Sequence, residues 1–251
     1  MELPKCWGTG RRAAADGSKF EIYHNNLRSE YHIRYGGYGG IAYHHVSDTY
    51  IALFNHFINC GVWEAVYILD GLLKNTSDIQ PDTLHADTQG QSTLLQKLGS
   101  YSRKNRLYQA FRELGYVVRT VFLLEYISDR ALRQEITACT NVVEGYHQFL
   151  DWLFFGKQGV ITENDPLEQE KRIKYLDLVA SAVILHNAVD LSLTIQQLSK
   201  EGVSISRQML ASLSPYLTRH LKRYGDFVID LQTVPMPLEG AIFIPLSEIQ
   251  T

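Results

Sequence analysis

The sequence predicts an α/β protein, with a strand-rich first part over residues about 15–90 in the order βββαβ and a mainly helical remainder. Three observations predict it. Up to about residue 90 the apolar residues come in short runs rich in Ile, Val, Tyr and Phe, broken by turn residues, which is the strand signature. One stretch of helical period, WEAVYILDGLLK, interrupts those runs. From Thr93 onward strand signals nearly vanish and apolar residues recur in steps of three and four. This divides the chain into residues 1–92, residues 93–230 and an irregular, Pro-punctuated tail over 231–251.

In order, KFEIYH, EYHIRY, IAYHHV and YIALFNHFI are the candidate strands, with YGGYGG between them read as a turn or flap. Val62, Val66, Leu69 and Leu73 carry the helical repeat, and TLHAD reads as one more short strand. The sharpest helix places Leu132, Ile136, Cys139, Val143, Tyr146, Leu150 and Leu153 on one buried face. FGKQGVITENDP is a loop, and its Asp165-Pro166 pair suits a helix entry. The helix that follows has apolar residues on more than one face around Val183 and Leu185, which places it in the middle of the helical half.

Composition bounds function without choosing it. A net charge of -3 gives no global signal for a polyanionic partner, so nucleic-acid contact has to rest on local patches. Cys6, Cys60 and Cys139 are scattered with no CxxC pair, which fits reduced thiols and argues against structural zinc. No signal-peptide pattern opens the chain, and no run of about 18 uncharged apolar residues occurs. The expectation is a soluble, cytoplasmic protein with no membrane partner.

Two acids stand where strands would end: Asp16 in AAADGSKF, just before the first strand, and Asp87 at the close of TLHADTQG. Carboxylates on neighbouring strands bridge divalent cations, because hard cations prefer oxygen ligands. By local sequence each triplet reads first as a turn whose Asx side chain bonds its own backbone. Glu144 follows the buried Val143, with Asn141 three residues before and His147 three after, so the three share a flank. Arg103, Lys104 and Arg106, with Arg219, Lys222 and Arg223 at i, i+3 and i+4, are candidates for phosphate contact or plain solvated faces. YGGYGG lacks the GK[ST] of a phosphate-binding loop.

Taken together and in order, AAADGSKFE, YGGYGGIAYHHVSDTYIALF, DTLHADTQG, LGSYSRKNRLYQAFRELG, TNVVEGYHQF, LFFGKQGVITENDPLEQE and LSPYLTRHLKRYGD resemble the catalytic domain of the Tn3 family of replicative transposases. The resemblance implies a ribonuclease H-like core with a DDE metal site. It carries over Asp16 on the first strand, Asp87 on the strand beside it and Glu144 on a helix packed against the sheet. It implies two magnesium ions, or manganese, held by these three acids. The reaction would be cleavage and joining of DNA at transposon ends, with transposon inverted repeats and target DNA as partners. His147 would steady Glu144 or a phosphate oxygen. The implied setting is the bacterial cytoplasm, at the nucleoid.

Two departures from the family qualify this. The family's region that recognises the terminal repeats has no counterpart here. The resemblance also breaks after Ser92 and resumes at Thr93, skipping several tens of residues that include a helix and a strand. Impaired strand transfer is therefore expected. The alternative is a non-catalytic remnant that binds DNA weakly or associates with itself or with full-length transposase.

Overall fold

The computed structural model describes residues 3–32, 36–62, 64–86, 105–224 and 232. Its centre is β1 (Arg12–Ile22), flanked antiparallel by β3 (Gly37–Ser47) and, over its first residues, in parallel by β5 (Thr83–Ala86). On its far side β3 pairs with β2 (Glu30–His32) and β4 (Ala52–Asn59). A two-residue strand, β6 (Val160–Ile161), pairs in parallel with the end of β1. The sheet is therefore mixed, and the α/β class follows.

Two local expectations are corrected here. Asp16 lies inside the first strand, which begins at Arg12, and not before it. Ala13, Ala14 and Ala15 are weak strand formers, yet they are at most 3% exposed. Pairing on both edges and burial on both faces override their propensity. Most of YGGYGG is strand as well, because β3 starts at Gly37. Its glycines serve close approach: a Cβ on Gly40 would lie 2.4 Å from the Phe57 ring.

Period-two alternation sorts the sheet into two faces. Ile41, Tyr43, Ile58 and Ala15 lie on one, against Tyr67 and Ile68 of α2 (Ala65–Lys74). The predicted repeat does form this helix, but Val66, Leu69 and Leu73 point to solvent at 45%, 64% and 86% exposure, while Tyr67, Ile68 and Gly71 meet the sheet. Spacing located the helix, and the residues that carry the repeat lie on its exposed side.

The other face carries Ala14, Phe20, Ile22, Ala42, Val46 and Phe57. Over it lie α4 (Arg130–Leu153) and α5 (Pro166–Lys200). Asp129 starts α4 by accepting hydrogen bonds from the N–H groups of Ala131 and Leu132, at 2.7 and 3.2 Å. The α4 stripe is as the sequence reads: Cys139, Val143, Tyr146 and Leu150 are buried, with Leu132, Ile136 and Leu153 partly so. Asp165 caps α5 the same way, with Pro166 in its first turn. Ahead of α4 stands α3 (Asn105–Ser128), and behind it a 3-10 turn (Gly156–Gly159) leads to β6.

Helix α5 covers the sheet along one side only, since Tyr175, Leu178, Val179 and Leu185 are exposed. It is not central to the helical half as its pattern predicts. One 18-residue window of α5 is long and apolar enough to cross a membrane, with mean hydropathy 1.6. Its buried Gln169, Asp177 and Asn187 nonetheless bond to the sheet and neighbouring segments, which is the behaviour of a covering helix. The short α1 (Leu3–Trp7) and α6 (Arg207–Ala211) pack on its far end through Leu3, Cys6, Ile195 and Leu210.

His45 lies on the α2 face, 2% exposed, where burial and then the neighbouring His44 pull its imidazole down to about 4. The unfolded chain therefore binds a proton that the folded one refuses between about pH 6.5 and 4. Stability is full above that window and falls with pH through it, by up to about 1.4 kcal/mol per pH unit for one such group. Urea unfolding from pH 7 to 4.5 should show that decline, and His45→Phe should flatten it by one proton's share. An unchanged slope in the variant would contradict the assignment.

Candidate metal centre

The alternation that places Ala14 and Phe20 toward α4 also places Asp16 there, at the middle of β1. Directly opposite Asp16 across the strand pair is His44, and opposite His44 on β4 is Asn55. Three polar side chains thus form one row across three strands, on the face covered by α4 and α5.

The row is fastened from above by Asp177 of α5. Its Oδ1 lies 3.2 Å from His44 Nε2 and accepts a hydrogen bond from the Tyr146 hydroxyl at 2.8 Å. Its Oδ2 accepts from the Asn55 amide. Burial pushes the Asp177 carboxyl up, but His44, Asn55 and Tyr146 together hold it below its ordinary value. Tyr146 is driven the other way, far above the usual phenol range, by burial and by Asp177. Asp177 is therefore a buried anion with full partners, and it is committed to structure.

Beside this cluster, His147 of α4 packs on His44 with ring centroids 5.4 Å apart. Its Nδ1 reaches to 3.9 Å from Asp16 Oδ2. Burial, then His44, lowers the His147 imidazole to about 3, so it stands neutral next to the Asp16 carboxylate. Asp16 itself keeps a third of its side chain exposed. Its Oδ1 accepts from the N–H of Gly17 at 2.8 Å, the local bond expected of a turn-like triplet.

Glu144 is placed by the run of α4 along β1. Arg12 meets Glu135 at 2.5 Å, and Phe20 meets Phe154 with ring centroids 5.5 Å apart. Those anchors are eight residues apart on the strand, about 26 Å, and nineteen apart along the helix, about 28 Å. Strand and helix therefore run together in one direction. Asp16 is midway on the strand, and the residues midway on the helix are Glu144 and Gly145. Glu144 is exposed and makes no hydrogen bond or ion pair among the described residues. Of the other α4 acids, Glu135 is taken by Arg12 and approached by His85 at 3.7 Å, and burial pushes the Asp151 carboxyl up. Glu144 is thus the open acid at the level of Asp16.

Asp87, Arg103 and Lys104 lie outside the described residues, as do the side chain of Arg106, the joint at Ser92 and Thr93, and the tail apart from Gln232. The last described pair of the parallel register is Ala15 with Ala86, each one residue before an acid. At the C-terminal end Arg219 and Lys222 are exposed. Their stretch is irregular rather than helical. Arg223 is spent on packing: its guanidinium donates to the Trp152 carbonyl at 3.0 Å and sits over the Trp152 and Phe155 rings.

Sequence reasoning missed the row and its anchor. The signals were present as polar residues inside apolar runs, His44 in IAYHHV and Asp177 in YLDLVASAV, positions where an unpartnered polar group is costly.

A mixed α/β sheet thus carries a half-open aspartate on its central strand, with an open glutamate at its level on the covering helix. Comparison with known proteins gives the family. The model of the Tn3 transposase DDE domain matches residues 1–95 and 91–227, and the chain belongs to that family. The two matched stretches meet at the joint noted in the sequence. Relatives include the transposase of transposon Tn1546 from Enterococcus faecium, 24% identical over 308 residues, covering 93% of this chain and 31% of that protein. The transposase of Tn501 from Pseudomonas aeruginosa is 26% identical over 298 residues, covering 88% and 30%. That of Tn21 from Escherichia coli is 25% identical over 298 residues, also covering 88% and 30%. The chain therefore spans about 30% of the length of these relatives. Each alignment is longer than the 251 residues of the chain itself, so it crosses positions that this chain lacks. No solved structure matches.

If Asp177 fastens the row, Tyr146→Phe should leave the fold intact and lower stability by about 1–3 kcal/mol, because the buried carboxylate loses a donor. Urea unfolding at pH 7 reads this out. A change under about 0.5 kcal/mol would mean that the hydroxyl carries no load.

Proposed function

We propose that this chain acts in DNA transposition as the metal-dependent catalytic part of a transposase, with Asp16, Asp87 and Glu144 as its metal ligands on a ribonuclease H-like core. The observation that carries the reading is the pairing of levels along β1 and α4. It puts the open Glu144 at the same level along the pair as the half-open Asp16, and these are two of the three acids that the family likeness singles out. The family likeness assigns Asp87 to the strand beside that of Asp16. Three carboxylates from two adjacent strands and one helix offer only hard oxygen donors, which suits magnesium or manganese.

Two such ions, when bound, supply Lewis-acid stabilisation of the attacking and leaving oxygens of a phosphodiester in an in-line displacement. The residues of this chain do the holding. Asp16 and Glu144 fix coordination from opposite walls of the site. His147, kept neutral by its burial, presents Nδ1 to the Asp16 carboxylate and limits its rotation without adding charge. Arg219 and Lys222, with Arg103, Lys104 and Arg106, are the side chains proposed to contact the DNA backbone, which positions a duplex without reading its bases. Arg223 would serve by packing. The substrates would be transposon terminal repeats and target DNA, in the bacterial cytoplasm.

Strand transfer is proposed to be impaired, because the family likeness breaks at Ser92 and Thr93, between the second and third acids. A second reading is association with a longer transposase. It is favoured by α3, where Val117, Val118, Val121, Leu124 and Ile127 are all at least half exposed.

Incubated with supercoiled plasmid and magnesium or manganese, the chain should give weak nicking that Asp16→Asn or Glu144→Gln abolishes. Nicking that survives both substitutions would overturn the site. Efficient cleavage and joining would overturn the impairment. Salt-sensitive duplex binding without any metal-dependent nicking would favour the second reading.

A further inference from the structure

We propose a second metal site, distinct in donors and position from the carboxylate centre, in which His186 and Asp190 of α5 and His220 of the C-terminal segment hold a borderline divalent ion such as zinc. His186 and Asp190 stand at i and i+4, one above the other on the helix, with Nε2 and Oδ2 3.3 Å apart. His220 joins them from another part of the chain, its ring centroid 6.2 Å from that of His186. One ligand atom from each of the three lies within 4.8 Å of the other two. A tetrahedral ion with bonds of about 2.0–2.2 Å needs donors about 3.4 Å apart. The His186 and Asp190 pair is already at that spacing, and small rotations of the exposed His220 side chain close the remainder.

The backbone that brings His220 there is fixed on both sides. Asn187, 1% exposed and adjacent to His186, donates to the Pro215 and Leu217 carbonyls at 2.7 and 2.9 Å. Beyond His220, Arg223 bonds the Trp152 carbonyl. A turn closed by the Leu221 N–H on the Thr218 carbonyl, at 3.1 Å, carries His220 between these anchors. The third ligand is therefore positioned by the fold before any ion binds, which lowers the ordering cost of binding.

Donor chemistry selects the ion class. Two imidazoles and one carboxylate suit zinc and its neighbours, whereas magnesium and calcium favour all-oxygen shells. Three protein ligands on an exposed surface leave a position for water. An ion here would clamp the segment after α6 onto α5, tying the exposed Arg219 and Lys222 to the helical layer.

Calorimetric titration of zinc into the untagged full chain tests this. One saturable site is expected, with affinity falling about tenfold or more in His186→Asn, Asp190→Asn and His220→Asn, since even outer partners of a metal site typically cost that much. Zinc should raise the thermal midpoint of the wild-type chain clearly more than that of His220→Asn. The Asp16→Asn, Glu144→Gln double variant should bind zinc at this site as the wild type does, so failure of the catalytic reading would leave the result standing. No saturable binding, or binding indifferent to both histidine substitutions, would overturn the proposal.

Discussion

The candidate centre depends on one buried carboxylate, Asp177. It reaches down from α5 and engages the strand residues His44 and Asn55 and the α4 residue Tyr146. An anion at that depth is tolerated only when its lone pairs are filled, and the partners that fill them come from three separate elements, β3, β4 and α4. Sheet and both covering helices are thereby registered against one another at a single point. Asp16 is the next member of the same cross-strand row, and His147 is the next residue after Tyr146, so the position of the site follows from the anchor.

Much of the fold was legible because it rests on periodicity. The α4 stripe, the cap at Asp165 and the strand segments all obey local rules. Legibility failed where tertiary context won. The alanine run before Asp16 reads as non-strand and is strand, since β1 is paired on both edges. The apolar repeat of α2 marks a helix, and tertiary packing leaves that repeat on its exposed side. The family's acids were legible as phrases. Asp177 and His44 were not, because a single polar residue in an apolar run announces burial but not its partner.

The exposed apolar surface of α3 follows the break between the two stretches that the family model matches. By contrast, the buried stripe of α4 meets β1 and β3 directly and does not depend on α3. The described part of the candidate centre, on β1 and α4, is thus packed independently of α3.

The central claim is that Asp16 and Glu144 still share a divalent ion. Electron paramagnetic resonance of added manganese measures this most directly, by the loss of free-ion signal on binding. The account predicts a bound population that competes with magnesium and is weakened about tenfold or more by either Asp16→Asn or Glu144→Gln. Manganese binding that depends on Asp16 alone and is indifferent to Glu144 would contradict it.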